Sequence, residues 1–99
     1  MSIFRTINKE TKYGNVTVGT TAVELKVGTA AIPGRTGLMV ANASADPAVL
    51  YIGTDSSVTA SNGFPIKAGQ HVFLNLVPGQ KVYAIGSTAS MDARIIEIH

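Results

Sequence analysis

The sequence has no cysteine, and this absence removes two kinds of structure at once. Without thiols there is no disulfide framework and no thiolate metal site. No apolar run approaches the roughly 18 residues of a membrane-spanning helix. The first ten residues also lack the apolar stretch of a signal peptide. We therefore expect no membrane partner, and a protein made for the cytoplasm or for a particle assembled there.

Charge is scarce as well. Charged residues make up 14% of the chain, against about 25% in typical domains, while hydrophobic residues make up 45%. This composition disfavours disorder over most of the length and fits one domain with its own core. A surface poor in lysine and glutamate is typical of buried interfaces, so the composition favours an assembly component over a small neutral monomer.

The net charge of +2 is concentrated near the N-terminus. Arg5, Lys9 and Lys12 stand there against Glu10, and the five basic and five acidic residues that follow cancel. This excess is too small for the basic footprint that binding to phosphate backbones requires. We expect no nucleic-acid partner.

What the chain does contain is a series of short apolar runs separated by glycine, proline and asparagine. The clearest are residues 71–77 and 81–85, and the Pro-Gly turn at 78–80 between them predicts a hairpin. Along the chain about eight such runs follow one another at spacings of roughly 8 to 12 residues. The sequence therefore predicts an all-β fold, a single small antiparallel β-sandwich that is jelly-roll-like and carries an extended N-terminal arm.

Several strands can be assigned individually. A turn at 13–15 precedes a short first strand, and the alternation over 21–27 predicts a half-buried strand. Residues 38–42 are apolar on both faces, which indicates a central strand, and 49–52 is expected to pair back on it after a turn. Residues 58–60 form a marginal strand.

Two further strands carry irregular features. Pro65 lies within an apolar run, which demotes that run to an edge or a bulge. The last strand, 91–98, loses its alternation near Ile95, and a bulge there would restore a single inward face. In that arrangement Glu97 is expected on the outer face, as is Glu24 in its own strand.

The domain organisation predicted is an arm over residues 1–13 and a β-sandwich domain over 14–99. The apolar side chains of the arm are poor choices for a solvated tail, so the arm is expected to dock on its own domain or on an adjacent subunit. The predicted partner-binding residues are Ile3, Phe4, Arg5 and Ile7.

The residues of the domain offer little chemistry. His71 opens a strand, Asp46 and Asp55 fall in turns, and no metal-binding, nucleophile-elbow or phosphate-loop pattern is present. We predict no catalytic residues, no metal site and no cofactor, so the protein is not expected to be an enzyme. The tyrosines are expected to pack in the core or at its rim.

The middle and C-terminal parts resemble small β-sandwich virion proteins of tailed bacteriophages. The resemblance rests on residues 35–42, 49–53, 58–69 and 82–85, and extends over about 20–98. In such proteins a strand ending in asparagine precedes an "x-Ile-Gly" strand, an Asn-Gly turn and an Ala-Gly turn. They serve as head decoration or cement proteins, as neck components or in fibre attachment.

The resemblance implies a non-enzymatic virion structural protein, first of all a capsid decoration or cement subunit that binds and stabilises the head surface. The partners would be capsid or other virion proteins and copies of the chain itself, as a trimer or dimer. The protein would reside in the virion, assembled in the host cytoplasm. Two alternatives stay open: a neck, tail or fibre-base component, and a carbohydrate-binding β-sandwich module for host attachment.

Overall fold

The computed structural model describes residues 10–99, and all of the regular structure in that range is β. No helix in the described range is long and apolar enough to cross a membrane. The eight strands are β1 (Thr11–Val18), β2 (Val23–Glu24), β3 (Gly37–Asn42), β4 (Val49–Gly53), β5 (Phe64–Lys67), β6 (His71–Asn75), β7 (Tyr83–Gly86) and β8 (Met91–Ile98).

The strands form two antiparallel four-stranded sheets that face each other. The first sheet has the order β1-β8-β3-β6 and the second the order β2-β7-β4-β5. In this order every pair of strands consecutive along the chain lies in different sheets except β4 and β5, which pair with each other, and the arrangement is that of a jelly roll. The prediction of a small jelly-roll-like sandwich of about eight strands is confirmed.

Alternation along the strands builds the core between the sheets. In β8, Met91, Ala93 and Ile95 point inward and are buried, while Arg94 and Ile96 on the alternate positions are exposed. They meet the inward residues of the second sheet, among them Leu50, which is fully buried. Full burial of one such leucine stabilises the fold by about 1.5–3 kcal/mol.

The first strand is longer than expected. Residues 13–15, predicted as a turn, lie inside β1, which pairs with β8 without interruption from Thr11 opposite Ile98 to Val18 opposite Met91. Gly14 is needed there for space rather than for a turn, since a Cβ would meet Val27 Cγ1 at 3.3 Å. Residues 11–13, assigned from the sequence to the arm, are thus paired in β1, and 1–9 lie outside the described residues.

The predicted hairpin at 71–85 is wrong, although its turn is right. Gly79 has a φ of 82°, and the Gln80 amide donates to the Val77 carbonyl at 3.0 Å, as a Pro-Gly turn requires. However, β6 pairs with β3 in the first sheet and β7 pairs with β2 and β4 in the second. The turn therefore carries the chain from one sheet to the other.

The predicted pairing of residues 49–52 with 38–42 is wrong for the same reason. The strand β3 is central, between β8 and β6, as expected, whereas β4 lies in the second sheet. The buried Asn42 fixes this crossing: its Nδ2 donates to the carbonyls of Ala48 at 3.0 Å and Ile66 at 2.9 Å, and its Oδ1 accepts from Ser44 N at 3.0 Å.

The last strand has no bulge. The strand β8 pairs regularly with both neighbours, and its inward face continues from Ile95 to Glu97. Glu97 is 0% exposed, so its expected place on the outer face is wrong. The regular alternation was hidden because this inward position holds a carboxylate instead of an apolar residue.

Four smaller predictions have mixed outcomes. Residues 58–60 are not a strand, although Val58, in the connection between β4 and β5, is buried. The run containing Pro65 is β5, an edge strand, as expected. The strand predicted over 21–27 is only two residues long, although the Leu25 amide extends its pairing by donating to Val82 O at 2.8 Å. Glu24, predicted on the outer face, is partly buried and lies 3.5 Å from Lys26.

Candidate interaction surfaces

An apolar row crosses the outer face of the first sheet. The strand register places Tyr13 beside Ile96, Ile96 beside Met39, and Met39 beside Phe73, so one residue comes from each of the four strands. Tyr13 is 82% exposed, Phe73 47% and Ile96 39%. We call these four residues the apolar row. Exposed apolar groups that are contiguous, rather than scattered singly, are a mark of interaction sites.

Phe73 is held flat at one end of this row. A Cβ built on Gly37 would come within 3.0 Å of Phe73 Cζ, so the ring lies over the glycine of the neighbouring strand. Contact of an aromatic ring with a cross-strand glycine leaves the ring little freedom to turn away. The apolar row is therefore a fixed feature of the sheet at this end.

Polar residues flank the row on the same face. The next register level is formed by Asn15, Arg94, Ala41 and His71. Arg94 binds Asp92 through two nitrogens, with Nη2 2.8 Å from Oδ2. This hydrogen-bonded pair lowers the pKa of Asp92 and raises the pKa of Arg94, so both stay charged around neutral pH. A shallow depression of about 560 Å³ lies between Tyr13, Asn15, Met39 and Arg94.

A second surface lies where the two sheets part, at the edge formed by β5 and β6. Here a groove of about 500 Å³ is lined mainly by apolar side chains, and we call it the edge groove. Its apolar lining residues are Ile52, Phe64, Val72, Phe73, Leu74, Leu76 and Val82, so Phe73 contributes to both surfaces.

The edge groove is an incompletely covered part of the core. Phe64 shares its strand face with Ile66, yet Phe64 is 57% exposed and Ile66 1%. In the same way Val72 and Leu74 of β6 are only partly buried, whereas Leu38 of the central strand is fully buried. Among residues 10–99, these core-directed side chains thus have no neighbour on this side of the sandwich.

The backbone of β6 is also open along this groove. The Gln70 carbonyl accepts from Asn42 N at 2.9 Å, and the Leu76 amide donates to Thr36 O at 2.8 Å, so these even positions bond toward β3. Antiparallel alternation then directs the backbone groups of His71, Phe73 and Asn75 away from β3. No strand of the described range lies on that side.

The buried ionic pair Arg35–Glu97 is a structural feature rather than a binding site. Glu97 Oε2 lies 3.5 Å from Arg35 Nη1 and accepts from Val27 N at 2.6 Å, while Oε1 accepts from Ile32 N at 2.6 Å. Arg35 Nη1 donates to Leu25 O at 2.9 Å. These bonds tie the connection between β2 and β3 to β8.

The structure places the predicted site residues as follows. Ile3, Phe4, Arg5 and Ile7 lie outside the described residues. Within the described range there is no group of three or more potential metal ligands. Tyr51 and Tyr83 are partly buried, as expected for packing at the rim, but the exposed Tyr13 is not.

Sequence reasoning missed both surfaces. The apolar row draws single residues from four strands distant in sequence, so no local pattern reveals it. The sequence of β8 contained a partial signal of the apolar row. Its apolar alternation is interrupted there, so that Ile96 falls at an outward-facing position. No family model matches the sequence, and no curated protein matches it either.

Proposed function

We propose that the protein is a non-enzymatic structural subunit of a phage particle, a decoration or cement protein that binds the head surface. The observation that supports this most directly is the apolar row, because it presents contiguous exposed apolar side chains across four paired strands. The resemblance to virion β-sandwich proteins supplies the nature of the partner. The neck, the tail and the fibre base are alternative positions for the same surface.

The physical properties of the face suit a repeated shell. A sheet built from four paired strands keeps the apolar row in one geometry, so little order has to be gained on binding. The flanking Asp92–Arg94 pair adds a polar rim to an apolar centre, the usual layout of protein interfaces. Many copies on one particle multiply a modest affinity per contact through valency when they are also linked to each other.

Co-sedimentation with phage heads that lack the subunit tests the proposal. The double variant Tyr13→Ser, Ile96→Thr removes the two apolar side chains that stand at one end of the row. Both replacements are polar, and both side chains are exposed, so the fold should be retained. We expect its binding to heads to fall by about tenfold or more, in line with the loss of interface anchors.

Val77→Thr is the matched control, since Val77 is 65% exposed but lies in the turn after β6 and outside the row. This variant should bind as the wild type does. Equal binding by the row variant, or no binding of the wild type to heads, tails or necks, would contradict the proposed function.

One observation favours the carbohydrate-binding alternative enough to test it. Tyr13 stands beside Asn15 and Arg94 at a shallow depression, an aromatic surface next to hydrogen-bonding groups. A glycan array with the wild type and Tyr13→Ser distinguishes the two functions. Binding that Tyr13→Ser abolishes would favour sugar attachment, and an array without signal would count against it.

A further inference from the structure

We infer that the edge groove and the open edge of β6 form an acceptor site for the N-terminal segment of a second copy of this chain. In this arrangement residues 3–7 of one copy add as a fifth strand beside β6 of its neighbour. Phe4 enters the edge groove. The inference deepens the proposed structural role and rests on it, because links between copies are what multiply a modest affinity for a repeated surface.

The backbone of β6 supplies the first requirement for strand addition. His71, Phe73 and Asn75 direct their amide and carbonyl groups outward, and they offer a ladder to an incoming strand. Edge strands are usually protected by proline or by charged side chains, lysine above all. The edge strand β5 carries Pro65 and Lys67, whereas β6 has neither residue type.

The edge groove supplies the second requirement, a place for side chains. In a fifth strand, alternate residues face the gap between the sheets. With Phe4 at one of these positions facing the gap, its ring contacts the exposed ring of Phe64 and the half-buried Leu74. Ile3 and Ile7 then come out on the outer face, where Phe73 ends the apolar row. The arm sequence thus matches both faces of the missing strand.

The distance from β1 to β6 excludes the same molecule as the acceptor for residues 3–7. The arm precedes β1, which lies at the opposite edge of the sheet from β6. With strands about 4.8 Å apart, the path from β1 to a position beyond β6 is at least about 19 Å. Extended chain covers at most about 3.6 Å per residue, so this path takes about six of the nine residues before Glu10. Residues 3–7 therefore cannot lie beside β6 of the same molecule.

Such a contact joins two different surfaces, an arm and an acceptor. It is heterologous, and repeated head-to-tail contacts close into a ring or continue as a chain. This property provides a sharp test, because donor and acceptor can be disabled on separate molecules.

The experiment measures the mass of full-length proteins in solution by light scattering after size exclusion, over a range of concentrations. Phe4→Asp disables the donor and leaves the acceptor intact. Asn75→Pro removes an outward amide of β6 without touching the bonds to β3. We expect oligomers for the wild type and monomers for either variant alone. An equimolar mixture of the two variants should form dimers, since one sound donor meets one sound acceptor.

Matched controls separate this result from general damage. Asn75→Ala removes the same side chain as Asn75→Pro but keeps the backbone amide. Thr6→Ser changes the arm without altering its apolar residues. Both variants should associate as the wild type does. If Asn75→Pro fails to fold, Phe64→Asp is the second acceptor variant. Phe64 is exposed, so the substitution should be tolerated, and the introduced carboxylate would disfavour burial of the Phe4 ring beside it.

The inference is overturned if the wild type is monomeric at every concentration, if Asn75→Pro associates normally, or if the mixture of variants stays monomeric. Normal association of Asn75→Pro would indicate pairing through β1 or face-to-face contact of the apolar rows. None of these measurements involves phage particles, so the inference can fail while the binding to heads stands, and the reverse also holds.

Discussion

The buried carboxylate of Glu97 is the residue on which the connection between β2 and β3 depends. It is fully buried, lies 3.5 Å from Arg35 Nη1, and accepts two backbone amides from residues 27 and 32. Arg35 is 1% exposed, and its Nε and Nη2 have no partner in the described range. Removing one member of a buried ion pair leaves the other charge buried without a partner. This lowers the stability of the fold far more than loss of a surface pair does.

Glu97→Gln should destabilise the protein by about 3 kcal/mol or more. The substitution removes the charge opposite Arg35 and points an amide NH₂ at one of the two backbone amides, where an acceptor is needed. Urea denaturation followed by circular dichroism measures the loss. The matched control is Glu24→Gln, whose partly exposed partner Lys26 lies 3.5 Å away. This control should change stability by less than about 1 kcal/mol.

Replacing both charges should not restore stability. Apolar residues at both sites often recover the cost of a buried pair. Here Arg35→Met, Glu97→Leu would leave the amides of Val27 and Ile32 buried without an acceptor. Stability of this double variant at or above that of the wild type would contradict the role given to Glu97 as an acceptor for the backbone.

At the scale of the elements, β7 ends where three chain segments approach one another. The Gly86 amide donates to Gly19 O at 2.8 Å, and a Cβ at Gly86 would meet Met91 Sδ at 2.6 Å and Thr88 O at 3.0 Å. A side chain at this junction would force Met91 or the backbone near Thr88 to shift. Gly19, on the other side of the hydrogen bond, has no atom within 4 Å of a built Cβ.

Gly86→Ala should therefore lower stability by about 1–3 kcal/mol, the usual cost of overpacking. Gly19→Ala, the control on the opposite side of the same hydrogen bond, should be neutral or slightly stabilising, because it reduces the entropy of the unfolded chain. Thermal unfolding of the two variants side by side checks the difference. Equal melting temperatures would show that the 86–91 turn relaxes freely.

Local signals predicted the strands but not their partners. Turn residues at 78–80 and the edge position of Pro65 follow from backbone chemistry within a few residues, and both were predictable. Which sheet a strand joins depends on pairings between distant segments, such as β1 with β8, and no turn encodes these. The hairpin of β6 and β7 failed for this reason.

Sequence reasoning reached the candidate sites only in part, for a similar reason. The apolar row requires the register of four strands, and the edge groove requires the gap between two sheets. The apolar character of the arm was readable, because its residues are contiguous. Its acceptor was not, since Phe64 and Leu74 become neighbours only after the jelly roll has formed.

For the whole molecule, the prediction is that the arm links copies of the chain and strengthens particle binding through valency, while the sandwich carries both the core and the apolar row. A deletion of residues 1–9 should leave the melting temperature within about 2 °C of the wild type while particle binding falls by about tenfold or more. The reason is that the described core and all eight strands begin after this segment. Calorimetry and co-sedimentation of the same preparation measure the two properties.

The end point of the deletion determines whether this experiment separates particle binding from stability. A deletion through Lys12 also removes Thr11 opposite Ile98 and Lys12 opposite Glu97, together with the bond from Lys12 Nζ to Ala30 O at 3.2 Å. It should cost about 1 kcal/mol or more, because two backbone pairs of an edge strand are lost. The longer deletion therefore melts earlier than the shorter one, and equal binding loss in both assigns the effect of the deletion on particle binding to residues 1–9. An unfolded protein after the shorter cut would mean that the arm belongs to the core.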